Sequence, residues 1–191
     1  MYSVVKNGAR AREYENALQW LVDAGLTYKI FRSSKPGLPV SAYDDLSAFK
    51  IYLMDVGILR RMSGLVPSAF GEGDRLFTEF KGALTENYVL QALIPQLDIT
   101  PRYWARNNPN YEVDYMIQLD NDIYPIEVET EGNVKSNSLK KYKEAYDKET
   151  RLRVRFSMSN LTLDNDLLNI PLFLADEASR IIKLALSLMS F

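Results

Sequence analysis

Residues 107–134 hold seven acids, Glu112, Asp114, Asp120, Asp122, Glu127, Glu129 and Glu131, and not one lysine or arginine. The same stretch has the period-two pattern of two adjacent strands, over residues 111–119 and 123–130. Like charges crowded on neighbouring strands raise the cost of folding unless a cation or a bound partner offsets them. The next segment, residues 135–155, has the opposite balance, with eight basic side chains against three acidic ones. An acidic strand pair beside a basic segment suits a metal-dependent enzyme acting on a polyanion. It equally suits an ordinary solvated surface, because single carboxylates and lysines are mostly exposed.

The residues that are missing narrow the chemistry. Among 191 residues there is no Cys and no His. Disulfides, thiol nucleophiles, Ser-His-Asp triads and the usual zinc sites are therefore excluded. Any metal would be a hard cation held by oxygens, Mg²⁺ or Mn²⁺ first. With 47% apolar and 25% charged residues the chain can bury a core. The net charge of −2 hides an asymmetry, since residues 1–40 carry six basic and three acidic side chains and the remainder seventeen and twenty-two. No phosphate-binding G-x-x-x-x-G-K-[ST] loop is present, so no ATP site is expected. The apolar C-terminal stretch is interrupted by Arg180 and Lys183, no signal-peptide layout is visible, and a cytoplasmic location without membrane contact is expected.

Residues 10–24 place Tyr14, Leu18, Leu21 and Val22 on one helical face, stopped by Gly25. Residues 26–31 and 40–43 are expected to pair across the turn at residues 35–39. With Arg10, Arg12, Lys29, Arg32 and Lys35 nearby, this helix and hairpin look like the end of a winged helix, though so few basic residues suit a plain helix-hairpin packing unit better. A helix is expected near residues 47–53, and the apolar run 51–59 is expected to be buried. Gly71 to Asp74 marks a loop, and residues 76–93 make the strongest helix. Strands at 100–106, 111–119 and 123–130 follow, then a basic helix at 138–148, strands at 152–157 and 170–175, and a helix at 178–189. The fold class is α/β, a mixed sheet flanked by helices.

Glu86 sits inside the apolar stripe Ala83, Leu90 and Leu93 of its helix, at the edge of a core or aimed at something. Alternation puts Glu112, Asp114 and Met116 on one face, and Pro125, Glu127 and Glu129 on one face of the next strand. A two- or four-residue loop sets Asp114 opposite Glu127 or Glu129, whereas a three-residue loop sets it opposite Val128 and dissolves the cluster. If they converge, Asp114, Glu127 and the Val128 carbonyl can share a divalent ion, which generates hydroxide near neutral pH without histidine.

Several segments together carry a resemblance: GALTENYVLQAL, YWARNNPNYEVDYMIQL, YPIEVE, NVKSNSLKKYKEAY and SMSNL…NIPLFLA. They resemble the uncharacterised C-terminal domain of a large family of prokaryotic AAA-type ATPases, a domain similar to the PD-(D/E)XK restriction-endonuclease-like fold. The upstream SVVKNGARAREYENALQWLVDAGL and PVSAYDDLSAFKIYLMDVGIL resemble the winged-helix linker of the same family. The resemblance implies a partial winged-helix region at 1–65, a nuclease-like domain at 66–191, and an ATPase module that this chain lacks. It makes Glu86 the helix acid, Asp114 the metal-binding aspartate and Glu127 the acid of the E-x-K step. Glu129 stands where the family usually has lysine, and a carboxylate cannot supply that positive charge. Lys135 and Lys140 are the candidates to replace it.

Two readings follow. One is a Mg²⁺- or Mn²⁺-dependent phosphodiesterase using Glu86, Asp114, Glu127 and Glu129, binding DNA through Lys135, Lys140, Lys141, Lys143 and Arg151 and their neighbours Arg153 and Arg155. Tyr103, Trp104 and Arg106 could add nucleotide stacking, though core packing is their commoner use. The other is a non-catalytic module that recruits protein or nucleic acid to an ATPase, which the Glu129 departure favours. A transcription-like factor resting on the winged helix alone is a weaker third.

Overall fold

A computed structural model describes residues 11–65, 75–106, 111–130 and 137–189. Helix α1 (Ala11–Asp23) ends at Gly25, whose φ of 71° only glycine adopts at no cost. A hairpin of β1 (Thr27–Ser33) and β2 (Asp44–Leu53) follows, then α2 (Val56–Met62), started by the Asp55 side chain accepting the Ile58 N–H at 2.9 Å. Next come α3 (Arg75–Leu93), β3 (Arg102–Ala105), β4 (Glu112–Leu119), β5 (Asp122–Val128) and α4 (Asn137–Ala145). The described chain closes with β6 (Arg153–Ser157), β7 (Thr162–Asp164), β8 (Leu167–Pro171) and α5 (Ala178–Met189). From α3 onward this is the expected order with one added strand, β7.

The strands form one mixed sheet in the order β2-β1-β3-β4-β5-β6-β8-β7. Pairs β1–β3, β5–β6 and β6–β8 are parallel and the others antiparallel. The upstream hairpin is therefore continuous with the sheet of the downstream region. One core joins Tyr115, Ile117, Ile126, Val154 and Phe156 of the sheet to Val89, Leu90 and Leu93 of α3 and Ile181, Ile182 and Ala185 of α5. A second core packs Trp104, Val113, Met116 and Ile123 against Leu139 and Tyr142 of α4. Each fully buried aliphatic side chain in these layers contributes roughly 1.5–3 kcal/mol.

Four local expectations fail: three fall within residues 40–59, and the fourth is the strand expected at 170–175, where β8 ends at Pro171 and Leu172–Glu177 is a 3-10 helix. Residues 40–43 form a 3-10 turn, not the return strand. Residues 47–53 are strand instead of helix, because they pair with β1 from Thr27↔Leu53 to Phe31↔Phe49, and tertiary pairing overrides local propensity. The apolar run 51–59 is not uniformly buried, since Ile51, Met54 and Ile58 are at least 40% exposed. Asn87 of α3 secures the end of β2 instead: its Oδ1 accepts the Leu53 N–H at 2.9 Å and its Nδ2 donates to the Leu53 carbonyl at 3.0 Å. Gln91 Oε1, one turn on, accepts the Val56 N–H at 2.9 Å. The expected loop at Gly71 to Asp74 lies outside the described residues.

Candidate functional site

The turn between β4 and β5 settles the register on which the acid cluster depends. Leu119 pairs with Asp122, leaving only Asp120 and Asn121 in the loop, and Asp120 adopts φ 54°, as two-residue hairpin turns require. The ladder runs from there to Tyr115↔Ile126 and ends one step short of Asp114 and Glu127. Asp114 Oδ2 accepts the Val128 N–H at 2.8 Å.

The strict alternation expected along β4 does not hold. A register shift between Arg102 and Trp104 of β3 interrupts it, and Val113 joins Met116 in the α4-side core. Asp114 instead meets the same ammonium as Glu86 of α3. That ammonium belongs to Lys50 of β2. Lys50 Nζ forms an ion pair with Glu112 and lies 3.8 Å from Glu86 Oε2 and 3.9 Å from Asp114 Oδ1. It also stands 5.2 Å over the Tyr103 ring. Tyr52, two residues on and on the same face of β2, donates its hydroxyl to Glu86 Oε2 at 3.0 Å. The Tyr115 hydroxyl donates to the Glu86 carbonyl at 3.0 Å. A cavity of about 380 Å³ opens beside this group, lined by Lys50, Tyr52, Leu53, Leu59, Glu86 and Asn87.

The electrostatics follow from burial. Burial first, then the neighbouring Glu86, pushes the Asp114 carboxyl up to about 8, against the pull of Lys50 and the Val128 N–H, while Glu127 adds a further upward push. Burial alone would lower the pKa of Lys50, but Tyr52, Glu86, Asp114 and Glu112 outweigh it and hold the amine above its ordinary value. Lys50 is therefore a permanent cation at neutral pH and no proton acceptor.

Glu129 is only 8% exposed, and its Oε2 lies 3.8 Å from Arg155 Nε. Its N–H donates to the Phe156 carbonyl at 2.8 Å. Arg155 in turn donates to Asn169 Oδ1 at 2.8 Å, as does the Ser157 hydroxyl. Glu129 thus belongs to a buried polar network at the end of β5, away from the Lys50 contacts. Glu127 buries its Oε2, and Val128 pairs with Phe156 in the β5–β6 ladder.

The expected nucleic-acid-binding side chains are mostly engaged with acids. Lys141 donates to Glu144 at 2.7 Å, Lys143 pairs with Asp147 at 3.0 Å, and Arg151 pairs with Asp122 at 2.9 Å. Arg153 pairs with Asp166 at 2.6 Å. Lys140 is exposed on α4, and Lys135 lies outside the described residues. Tyr103 and Trp104 are core residues, the latter packed edge-on against Tyr142 at 5.3 Å.

A hard divalent cation suits this donor set in kind. The arrangement as folded does not suit one. Among the described residues no group of three or more acids has metal-binding spacing, and the Lys50 ammonium already touches Glu86, Glu112 and Asp114. Lys50 is the residue that sequence reasoning missed. The signal was present: as a strand, Phe49-Lys50-Ile51-Tyr52 puts Lys50 on the inward face with Tyr52, where a lysine needs an acid partner.

Residues 81–173 match the family model of a domain of unknown function, DUF4143, and residues 1–69 match that of another domain of unknown function, DUF8612. No curated protein and no solved structure matches the chain. Glu86, Glu112, Asp114, Glu127 and Glu129 lie in the first matched region and Lys50 in the second, so the site is assembled from both.

Proposed function

We propose that this chain is a non-catalytic module of a prokaryotic AAA-type ATPase system, with nuclease-like ancestry, that recruits a protein or nucleic acid. The observation that carries this reading is Lys50, whose ammonium pairs with Glu86, Glu112 and Asp114, two of which a nuclease would use at its site. The buried contact of Glu129 with Arg155 supports it, because the position that should supply a cation at the reacting phosphate is an acid turned toward an arginine. The link to an ATPase rests on the sequence resemblance and on DUF4143, a domain common in the C-terminal regions of AAA ATPases. The winged-helix assignment of residues 1–65 and the restriction-endonuclease-like assignment of residues 66–191 belong to the same proposal.

A second reading, a Mg²⁺- or Mn²⁺-dependent nuclease, is favoured by the two-residue turn between β4 and β5 and by the electrostatic push that Glu127 and Glu86 exert on the Asp114 carboxyl. Cleavage of single- and double-stranded DNA and RNA with Mn²⁺ separates the two. The recruiting reading expects the wild type to be inert. Cleavage by the wild type that disappears in Glu127→Ala would establish the nuclease, and activity gained only in Glu129→Lys would mark a disabled one. Filter binding at two salt concentrations distinguishes the cargo. Phosphate contacts give affinity that falls steeply with salt, whereas protein recruitment leaves little nucleic-acid binding to lose.

A further inference from the structure

We infer that the cavity between α2 and α3 is a binding site for a small amphipathic anion, an apolar tail carrying one carboxylate head. The site is separate from the Lys50 group and stands with either reading of that group.

The cavity holds about 500 Å³, a volume typical of small-molecule sites. Its walls come from both matched regions: Val56 and Arg60 of α2, Lys81 and Leu84 of α3, Met158 just beyond β6 and Leu172 just beyond β8. Two faces of α3 divide the space beside it. Ala83, Glu86 and Asn87 line the pocket next to Lys50, whereas Leu84, Thr85 and Tyr88 line this one. Polar groups are scarce on these walls, and the Thr85 hydroxyl already donates to the Lys81 carbonyl at 2.8 Å. A sugar or nucleotide would strand its own donors and acceptors there, while every methylene moved in from water is favoured.

The charges give the ligand its direction. Among the described residues lining the cavity, Arg60 and Lys81 are the only charged side chains, and both are cations. The Val56 N–H meets Gln91 Oε1 at the start of α2, and by Leu65 the chain has reached Leu84, two turns back along α3. Arg60 lies on that path, so both cations fall toward one end of the cavity. Tyr88 marks the other end, seven residues and about 10 Å of helix from Lys81. Burial first, then nearby Asp176, pushes the Tyr88 phenol above its ordinary pKa. The Asp176 charge disfavours an anionic head at that end, so the head meets Arg60 and Lys81 and the tail runs toward Leu172.

Isothermal calorimetry on the full chain tests this, with decanoate, hexanoate and decyltrimethylammonium as probes below their micelle concentrations. Wild type should bind one decanoate per chain, and the other two probes at least about ten-fold more weakly. Lys81→Glu should lower decanoate affinity at least about ten-fold. Met158→Glu should do the same, by setting an acid on the apolar wall at a position 75% exposed, where the core is spared. Lys148→Glu, an equal charge change on an exposed residue outside the lining, should leave the affinity unchanged. If Lys81→Glu folds poorly by circular dichroism, Lys81→Met replaces it, with decanoate binding still expected to weaken while hexanoate stays the poorer ligand. Absence of saturable decanoate heat overturns the inference, as does decyltrimethylammonium binding as tightly as decanoate, or an equal loss in Lys148→Glu. An oligomer that Met158→Glu dissociates in size-exclusion chromatography would assign the cavity to a second copy of the chain and overturn it too.

Discussion

Replacing Lys50 by Met should destabilise the metal-free protein, and by more at pH 8 than at pH 5. The substitution keeps the aliphatic stem and deletes the one cation touching Glu86, Glu112 and Asp114. At an effective dielectric of about 20, each ammonium–carboxylate contact near 4 Å is worth about 4 kcal/mol before desolvation is subtracted. Exposed pairs return about 0–1 kcal/mol and breaking a buried pair costs about 3–5 kcal/mol. Lys50 is 25% exposed, between these limits, so a loss of about 2–3 kcal/mol is expected at pH 8. For a chain of this size that lowers Tm by about 5–10 °C.

The pH dependence comes from Asp114. Its folded pKa, about 8, lies above the reference value of 3.8. Its stabilising contribution is therefore complete below the lower value and is lost as pH rises through the higher one. Without Lys50 the carboxyl loses a group that holds its pKa down, so at pH 5 it is protonated and one repelling charge is gone. Asp114's share of the deficit is then negligible at pH 5 and about 0.4 kcal/mol at pH 8, so the Tm deficit at pH 8 should exceed that at pH 5 by about 1–2 °C. Thermal melts followed by circular dichroism at the two pH values decide it. An equal deficit at both pH values, or none at pH 8, would refute the electrostatic account of this site.

Asp114→Asn keeps an acceptor for the Val128 N–H and removes the buried charge, so its stability relative to wild type should increase as pH rises from 4 to 9 in urea titrations. A gain that shrinks with pH would contradict the raised pKa. Asn87→Ala strands the backbone N–H and C=O of Leu53 and should cost about 2–4 kcal/mol by chemical denaturation, with a native-like spectrum at low denaturant.

The downstream half of the fold was legible because its periodicities are long and its elements are local. The α3 stripe, the strands β4 and β5 and the 178–189 helix each announce themselves within a dozen residues. The hairpin was not, because residues 47–53 become a strand only by pairing with residues 27–31. The site divides the same way. The β4–β5 register followed once a turn length was assumed, but the turn itself hung on whether Asp122 joined the strand. Lys50 was missed because residues 47–53 were expected as a helix, which hides its inward face, and its acids lie 36 to 64 positions away, a separation that no local pattern records. The β3 register shift, which brings Asp114 to that lysine, likewise leaves no mark in the β4 sequence.

The irregularity between Phe31 and Arg32 in the β1–β2 ladder acquires a use in this light. A slip of one position would turn Lys50 toward the opposite side of the sheet and present Phe49 or Ile51 to the acids, since neighbouring strand residues face opposite ways. The bulge, with Arg32 clasping Asp45 just beyond it, opposes such a slip. The pocket's charge is thus set mechanically, by how one strand is clamped to the next, and a partner that pulled on this hairpin would be changing an electrostatic potential as much as a shape.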